Sequence, residues 1–499
     1  MPQIFAGILA GMGVSTAAIF TVGTFTLSLA QIGGFILYSI ATSFLLKALT
    51  PSIDTSKGRG IYTNAREATG PHAVIYGQVR VSGPITYIET VNNNERMITV
   101  MPLAGHEVEE IGDIYLNDKV VTLDGSGWVT DSEWLGAGGN SKIMIRKHLG
   151  TAAQTADSHL LAITEDVNVD SNFRGRGIAY LLVKMIYNQD VFAQGVPTIS
   201  AVVKGRKLLD PRTDLTAYSN NAALVIHDYV TNEHGLNAAV TEFDTGIDAE
   251  ADICDEAVTL AAGGTQARYT IDGVFHRDAP PARVLPELLS ACAGSLYWSQ
   301  GWKLKVGAYR APTITLTEDD LRSPIEISTR VSNRERINGI RGVYVSAEDN
   351  WIRKDLPPLE PAAFLTEDNS VPSIADIALP FTTNFARGQR IQKILLYRAR
   401  EQISIRAEFS RRNAFNLSVG DTVNLTLSRY SWTAKVFEVM RWRLRRAKNG
   451  DLLIELVLQE TSSDVYAWSA EETSATDNAT AIARLALPSI DETTEVTFS

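Results

Sequence analysis

Ala73-Val74-Ile75-Tyr76-Gly77-Gln78-Val79-Arg80-Val81, then Ser82-Gly83-Pro84, then Ile85-Thr86-Tyr87-Ile88-Glu89-Thr90 reads as strand, turn, strand. β-Branched and aromatic residues fill both runs, and the Gly-Pro pair punctuates them. Working outward, Met97–Leu103, Ile111–Leu116 and Lys119–Leu123 continue the pattern, with Asn117-Asp118 as a turn, and Ile143–Lys147 is a further strand. Ile178–Tyr187 is almost wholly apolar, which suits a strand covered on both faces and equally a buried helix. Ile199–Val203, the turn Lys204-Gly205-Arg206-Lys207 and Leu208–Arg212 follow.

A cluster of helical signals follows in the middle of the chain. Asn221 is placed to cap a helix over Ala222–Asn232 closed by Gly235; a second helix starts near Asp248 and a third near Pro281, with Leu285, Leu288, Leu289 and Cys292 inward. Trp302, Leu304 and Val306 alternate with Lys303 and Lys305 as a half-buried strand, and Pro357–Pro361 reads as a boundary loop. Ala386–Gln402 is amphipathic, with Ile391, Ile394 and Leu395 on one face. From Ile403 to Glu460 strands return, broken by Val419-Gly420-Asp421 and Asn449-Gly450. The expected fold is mainly β with some α, multidomain, of barrel or sandwich type. Its divisions are a hydrophobic helical segment (1–50), a β-rich domain (51–165), a central α+β region (166–356), a barrel-like domain with an amphipathic helix (357–470) and an acidic extension (471–499).

The bulk numbers agree with several folded domains. The chain has 499 residues, 45% of them hydrophobic and 21% charged, too long for one core and too apolar for disorder. Two cysteines, Cys254 and Cys292, are too few for a disulfide framework and read as buried thiols. Net charge is −11, yet Phe381–Gly450 holds 15 Lys and Arg against 4 Asp and Glu. Such asymmetry points to electrostatic docking inside an assembly, to a basic surface facing nucleic acid, or to a solvated face.

Residues 1–46 carry no Asp, Glu, Lys, Arg or His; Lys47 is the first charged side chain. The stretch is long enough for one spanning helix, or for a hairpin of Gln3–Ala30 and Phe35–Leu49 broken at Gln31, Gly33 and Gly34. Gly7 and Gly11 form a G-x-x-x-G that permits close helix contact. With Phe20, Phe25, Phe35 and Leu46 they are the candidate membrane or axial-bundle contacts. No basic start or small-residue cleavage site marks a signal peptide. The Thr and Ser content leaves two readings open, a membrane contact and a plug buried in protein.

Chemistry finds little foothold. The seven histidines are scattered, and His227 and His234 match no metal spacing. Asp244, Asp248, Glu250, Asp252, Asp255 and Glu256 lack the glycine and glutamate of a calcium loop and fit the first turns of a helix. Asp319-Asp320 is the single candidate carboxylate pair for glycan hydrolysis. Arg174-Gly175-Arg176-Gly177 is not followed by the residues of a phosphate loop. No catalytic, cofactor or metal site is assigned. Arg441, Arg443 and Arg445 alternate with Trp442 and Leu444, which puts three guanidinium groups on one strand face. That face is a candidate channel lining or partner contact, or a solvated surface balanced by acids.

In their order along the chain, several motifs resemble the hub, or host-specificity, family at the tail tip of long-tailed bacteriophages. They are Tyr76–Pro84, Pro102–Val108 and Ile114–Asp118; His148–Thr151 with Gln154 and Asp157; and Arg176–Tyr180, Gly195-Val196-Pro197, Val203–Lys207, Asp210-Pro211-Arg212, Tyr218–Leu224 and Gly235-Leu236. Later echoes are Leu316–Asp320, Asn338, Gly342 and Val419–Asp421. The resemblance implies a homotrimer at the end of the tail tube, made in the host cytoplasm and carried in the virion. Its partners would be distal tail and tail-tip proteins, tape-measure protein, tail fibres, the host membrane transiently, and phage DNA in passage. It gives Asp319 and Asp320 no catalytic role. The chain ends soon after the resembling region, so receptor binding is not carried over. Two other expectations are a membrane-anchored bacterial adhesin or secretion component, and a tail-associated glycan hydrolase.

Overall fold

The computed structural model describes residues 70–298, 301–330, 336–447 and 450–473, together with the backbone pairing of Thr21–Val22 with Phe25–Thr26. At these first four residues the backbone is an antiparallel pair, Thr21 opposite Thr26 and Val22 opposite Phe25. The expected continuous helix over Gln3–Ala30 is therefore corrected there; Thr, Val and Phe favour extended backbone. Gly7, Gly11, Phe20, Phe35 and Leu46, and the extension past Thr473, lie outside the described residues. Among the described residues no helix is long and apolar enough to cross a membrane.

Chain order begins with β1 (Ala73–Tyr76), β2 (Gln78–Val81), β3 (Tyr87–Val91), β4 (Arg96–Ala104), β5 (Glu110–Leu116), β6 (Lys119–Val121), β7 (Ile143–His148), β8 (Ala179–Ile186) and β9 (Ile199–Lys204). All but β1 form two four-stranded sheets, ordered β3-β4-β8-β7 and β2-β9-β5-β6. Ile75, Met101, Ile114, Leu181, Val183 and Val203 meet in the core between them. The opening run is two strands because Gly77 turns with φ +62°, where a Cβ would meet Asp272 Oδ1 and Ile271 O, each at 2.3 Å. β1 then pairs with β10 (Gly273–His276), while β2 pairs with β9. Asn117 and Asp118 both have positive φ, the geometry of a tight hairpin between β5 and β6. The apolar run at β8 is a strand covered twice: Leu181, Val183 and Met185 enter the core just named, and Tyr180 and Leu182 enter another with Ile98, Val100, Leu160 and Val169.

A larger core gathers α1 (Ala222–Thr231), α2 (Ile247–Asp255), α3 (Pro281–Ser290) and, much later, α4 (Phe385–Arg400). Asn221 Oδ1 accepts from Ala223 N and Leu224 N, and Asn384 Oδ1 from Ala386 N and Arg387 N, so two helices start on side-chain caps. Cys254 and Cys292 are free and buried in this core. Val284, Leu288 and Cys292 are fully buried, and Leu285 and Leu289 pack against them from partly exposed positions.

Five strands that precede α4 are split between two sheets. β11 (Ile314–Thr317) and β12 (Glu326–Ser328) belong to the final sheet; β13 (Gly339–Ser346), β14 (Ile352–Leu359) and, after them, β15 (Ile374–Leu379) form a three-stranded sheet ordered β14-β13-β15. Pro357 and Pro358 lie inside β14 and not in a boundary loop. An edge strand tolerates them because its outer side has no ladder to break, and the β13–β14 register slips beside them, between Ile340 and Gly342.

The remaining strands are β16 (Ser404–Ser410), β17 (Thr422–Leu427), β18 (Trp432–Arg446) and β19 (Leu452–Glu460). The final sheet runs β11-β17-β18-β19-β16-β12, with β11 parallel to β17 and its other pairs antiparallel. It is open: β11 and β12 are its two edges and do not pair with each other. The expected barrel is corrected to a six-stranded sheet. One face holds Leu316, Ile405, Phe409, Val423, Phe437, Ile454 and Leu456, each side chain contributing about 1.5–3 kcal/mol by burial.

Candidate functional site

The arginines singled out on β18 share a face. Arg441, Arg443 and Arg445 stand opposite Val457, Glu455 and Leu453 of β19, with a register shift just before Arg441. Trp442 and Leu444 point to the other side, where Trp442 packs on the sheet core. The three cations do not share a fate. Arg445 Nη1 donates to Glu455 Oε2 at 2.8 Å, and Arg406 Nη2 reaches Glu455 Oε1 at 2.9 Å. Glu455 is 2% exposed. Burial pushes its carboxyl up, but the bonds from Arg445 and Arg406 outweigh this and hold it below the usual range. Arg443 and Arg441 form no ion pair among the described residues, and Arg443 is exposed.

Most of the other basic side chains of the 381–450 stretch turn inward. Arg390 is 1% exposed; its Nη2 donates to Arg268 O at 2.7 Å, and its guanidinium lies 5.8 Å from the Trp468 ring centre. Arg387 Nη2 donates to Ala267 O. Lys393 pairs with Glu471, Arg398 with Glu438, and Arg400 with Glu367 and Asp368. Burial lowers Arg390 to about 10, a mark of how far it is from water. Helix α4 is thus bolted to its surroundings by cations.

A second polar cluster joins the first sheets to α1. Tyr76 Oη donates to Asp228 Oδ2 at 2.6 Å and meets His234 Nε2 at 2.8 Å, while Arg206 Nε stands 3.0 Å from Asp228 Oδ2. Beside it His106 Nε2 accepts from Ile75 N at 2.9 Å, which leaves Nδ1 to donate to Glu107 O. His106, Arg206, His234 and Arg277 line an open cleft of about 420 Å³. Burial drives His106 and His234 down to about 4, so both are neutral at pH 7. His227 is buried too, edge-on to Phe243.

Glu250 is the member of the acid run that turns inward. Its carboxylate accepts from Val306 N at 2.8 Å and pairs with Arg310 and Lys305. Asp320 is likewise a structural carboxylate: Oδ2 accepts from Thr317 N, and Oδ1 accepts from Ser410 Oγ and Asn413 Nδ2. Asp319 beside it is exposed, and the two do not converge on a cleft. No three His, Cys, Asp or Glu side chains among the described residues are grouped to hold a metal ion.

No family model matches the chain. It is 25% identical over 193 residues to the Tip attachment protein J of Escherichia phage SECphi27, covering 34% of this chain and 16% of that protein. Over that stretch the chain is similar to a phage tip attachment protein. Its match thus spans about a sixth of that relative's length. Its fold is that of a chain from the virion of a native gene transfer agent particle, with TM-score 0.58, 17% identity, and 94% of this chain and 99% of that one covered. A tail protein from Neisseria meningitidis MC58 aligns at TM-score 0.31 and 11% identity, over 78% of this chain and 96% of that one.

The motifs that resemble the tail-tip family act here as polar rivets. Asp157 caps the short helix Ser158–Ile163 by accepting from His159 N and Leu160 N, and its other oxygen takes Arg146 Nε at 2.6 Å and His148 Nε2 at 2.8 Å. Gln154 accepts from Gly150 N and donates to Arg174 O and Gly175 O, so its amide fixes the loop before β8. Each satisfies backbone groups that no ladder reaches. Sequence reading missed the inward turn of Glu250 and the burial of Arg387 and Arg390. The two arginines sit at i and i+3, next to Ile391 and Ile394 on the inward face, and that spacing was the available signal.

Proposed function

We propose that this chain is a non-enzymatic structural hub of a phage tail tip. As a homotrimer it closes the tail tube, connects tube to fibres, and forms the passage for tape-measure protein and DNA during ejection. The observation that carries this reading is the shared fold over nearly the whole chain with a gene transfer agent virion protein; the kinship to a tip attachment protein gives it direction. The five-part division at residues 50, 165, 356 and 470 belongs to the same proposal. Gly7, Gly11, Phe20, Phe25, Phe35 and Leu46 would lie near the tail axis, sheltered by protein until ejection brings them to the host membrane. Arg441, Arg443 and Arg445 would supply a basic face towards a partner or the channel, with Arg443 and Arg441 contributing most because Arg445 is already held by Glu455.

Tail particles imaged by electron microscopy test this. The expected result is threefold density for the chain at the distal end of the tail, with residues 1–46 protected from protease before receptor triggering. Particles with the chain elsewhere, or a stable monomer with no place in the tail, overturn it.

A further inference from the structure

Strand β1 belongs to two cores at once. Ile75 points into the core between the first two sheets, and Val74 and Tyr76 into the helical core. Along one edge β1 pairs with β10, Val74 opposite Phe275 and Tyr76 opposite Gly273. Along the other edge it has no strand partner among the described residues and is held by separate bonds. Gly105 N donates to Ala73 O at 2.8 Å, Arg206 N to Ile75 O at 2.9 Å, and Ile75 N to His106 Nε2 at 2.9 Å. Of these acceptors, only the histidine nitrogen can become a donor.

His106 uses both ring nitrogens. Nδ1 lies 2.7 Å from Glu107 O and can only donate there, so Nε2 is bare to accept from Ile75 N. One tautomer of the neutral ring satisfies both bonds. A proton on Nε2 sets two N–H groups against each other, and Ile75 N loses its acceptor. His234 behaves differently. Tyr76 Oη gives its one hydrogen to Asp228 Oδ2, so His234 Nε2 is the donor in their 2.8 Å contact. A second proton on His234, at Nδ1, leaves that bond intact.

The surroundings give an imidazolium at His106 no counterion. Asp228 is taken by Tyr76 and Arg206, Glu233 by Arg277, and Glu107 by Lys207. His72, beside Gly105, adds no negative charge. The ring nevertheless lines the open cleft with Arg206 and Arg277, where water can deliver a proton.

We infer that His106 is an acid-operated release for β1: a proton at Nε2 detaches the Ile75 edge from the first two sheets, while the ladder to β10 keeps β1 on the helical body. Burial, with Arg206 adding to it, holds the ring down to about 4 while β1 is bound; once released it returns towards 6.5. Release therefore takes up one proton, and the released fraction grows about tenfold per pH unit as pH falls from 6.5 towards 4. The inference stands apart from the tail-tip reading and holds or fails without it.

Amide hydrogen exchange on the full chain between pH 6.5 and pH 5, corrected for the exchange of free amides, tests it. The expected result is about a tenfold loss of protection per pH unit at Ile75, which exchanges faster than Leu181 of β8 throughout. In H106Q, whose side-chain oxygen accepts at every pH, that loss should vanish; in H234Q it should remain. Should H106Q fail to fold, the nitrogen–nitrogen coupling across the Ile75 N–His106 Nε2 bond serves in the unaltered chain. It should fade in step with protonation of His106 while the amides of β8 stay protected. Equal exchange of Ile75 and Leu181 at every pH overturns the inference, since β1 then comes free only when the whole chain unfolds. So does a loss of protection that survives H106Q or disappears in H234Q, or a coupling that persists on the protonated ring.

Discussion

Helix α4 and strand β18 carry similar positive charge in the sequence and put it to opposite uses. All five cations of α4 are held inside the chain, two by backbone carbonyls and three by carboxylates. On β18 the run from Arg441 to Arg446 has one guanidinium anchored, that of Arg445, and leaves Arg443 and Arg446 exposed. The difference comes from periodicity and from what lies across the element. A helix buried along one face forces residues at i and i+3 into the core whatever their charge; a strand at a sheet edge sends alternate residues to water. A basic excess counted along the chain therefore says how much charge is present and nothing about where it faces.

The sharpest way to break this contrast is to shorten one arginine of each kind. Arg390→Ala removes a buried side chain, leaves Arg268 O without its donor and opens a cavity beside Trp468. Its expected cost is about 3–4 kcal/mol in denaturant unfolding. Arg390→Met keeps the volume and removes an expensively desolvated charge, so it should recover most of that loss. A loss below about 1 kcal/mol in the alanine variant would mean that the guanidinium of Arg390 does not hold α4.

Acid probes the buried side of the contrast without a mutation. His106 and His234 are held down to about 4 by burial, against 6.5 when free. Protons therefore bind the unfolded chain first: their contribution to stability is full above pH 6.5 and is lost as pH falls towards 4. For His106, whose Nε2 must stay bare to accept from Ile75 N, the loss is on the order of 3 kcal/mol. Thermal unfolding between pH 7 and pH 4 should show this slope, and His106→Gln should flatten it by about one proton. An unchanged slope in the variant would show that His106 is not neutral in the fold.

Much of the fold was legible because its elements are locally consistent. Gly77, Asn117-Asp118 and Asn221 act through backbone geometry that their own residue types announce, and β8 announced burial on both faces by lacking polar residues. Three things were not legible. Closure of the last sheet depends on whether β11 and β12 meet, which is long-range pairing and leaves no local pattern. The prolines of β14 look like a loop until the strand is known to be an edge. Of the candidate site, the shared face of Arg441, Arg443 and Arg445 followed from alternation alone. That Glu455 would hold Arg445 and not Arg443 depends on a strand partner ten or more residues away, and the burial of Arg387 and Arg390 on a partner helix face.

The finest division lies within β18 itself, between Arg445 and Arg443. Glu455→Gln removes the carboxylate that two guanidinium groups share in a buried place, and should cost about 2 kcal/mol while freeing Arg445 to add to the exposed basic face. Arg443→Ala touches a side chain with no internal acid, so stability should move by less than about 0.5 kcal/mol. Denaturant unfolding of the two variants side by side checks both. A cost for Arg443→Ala comparable to that for Glu455→Gln would place Arg443 among the internal bolts, and the free basic edge of β18 would shrink to Arg441 and Arg446.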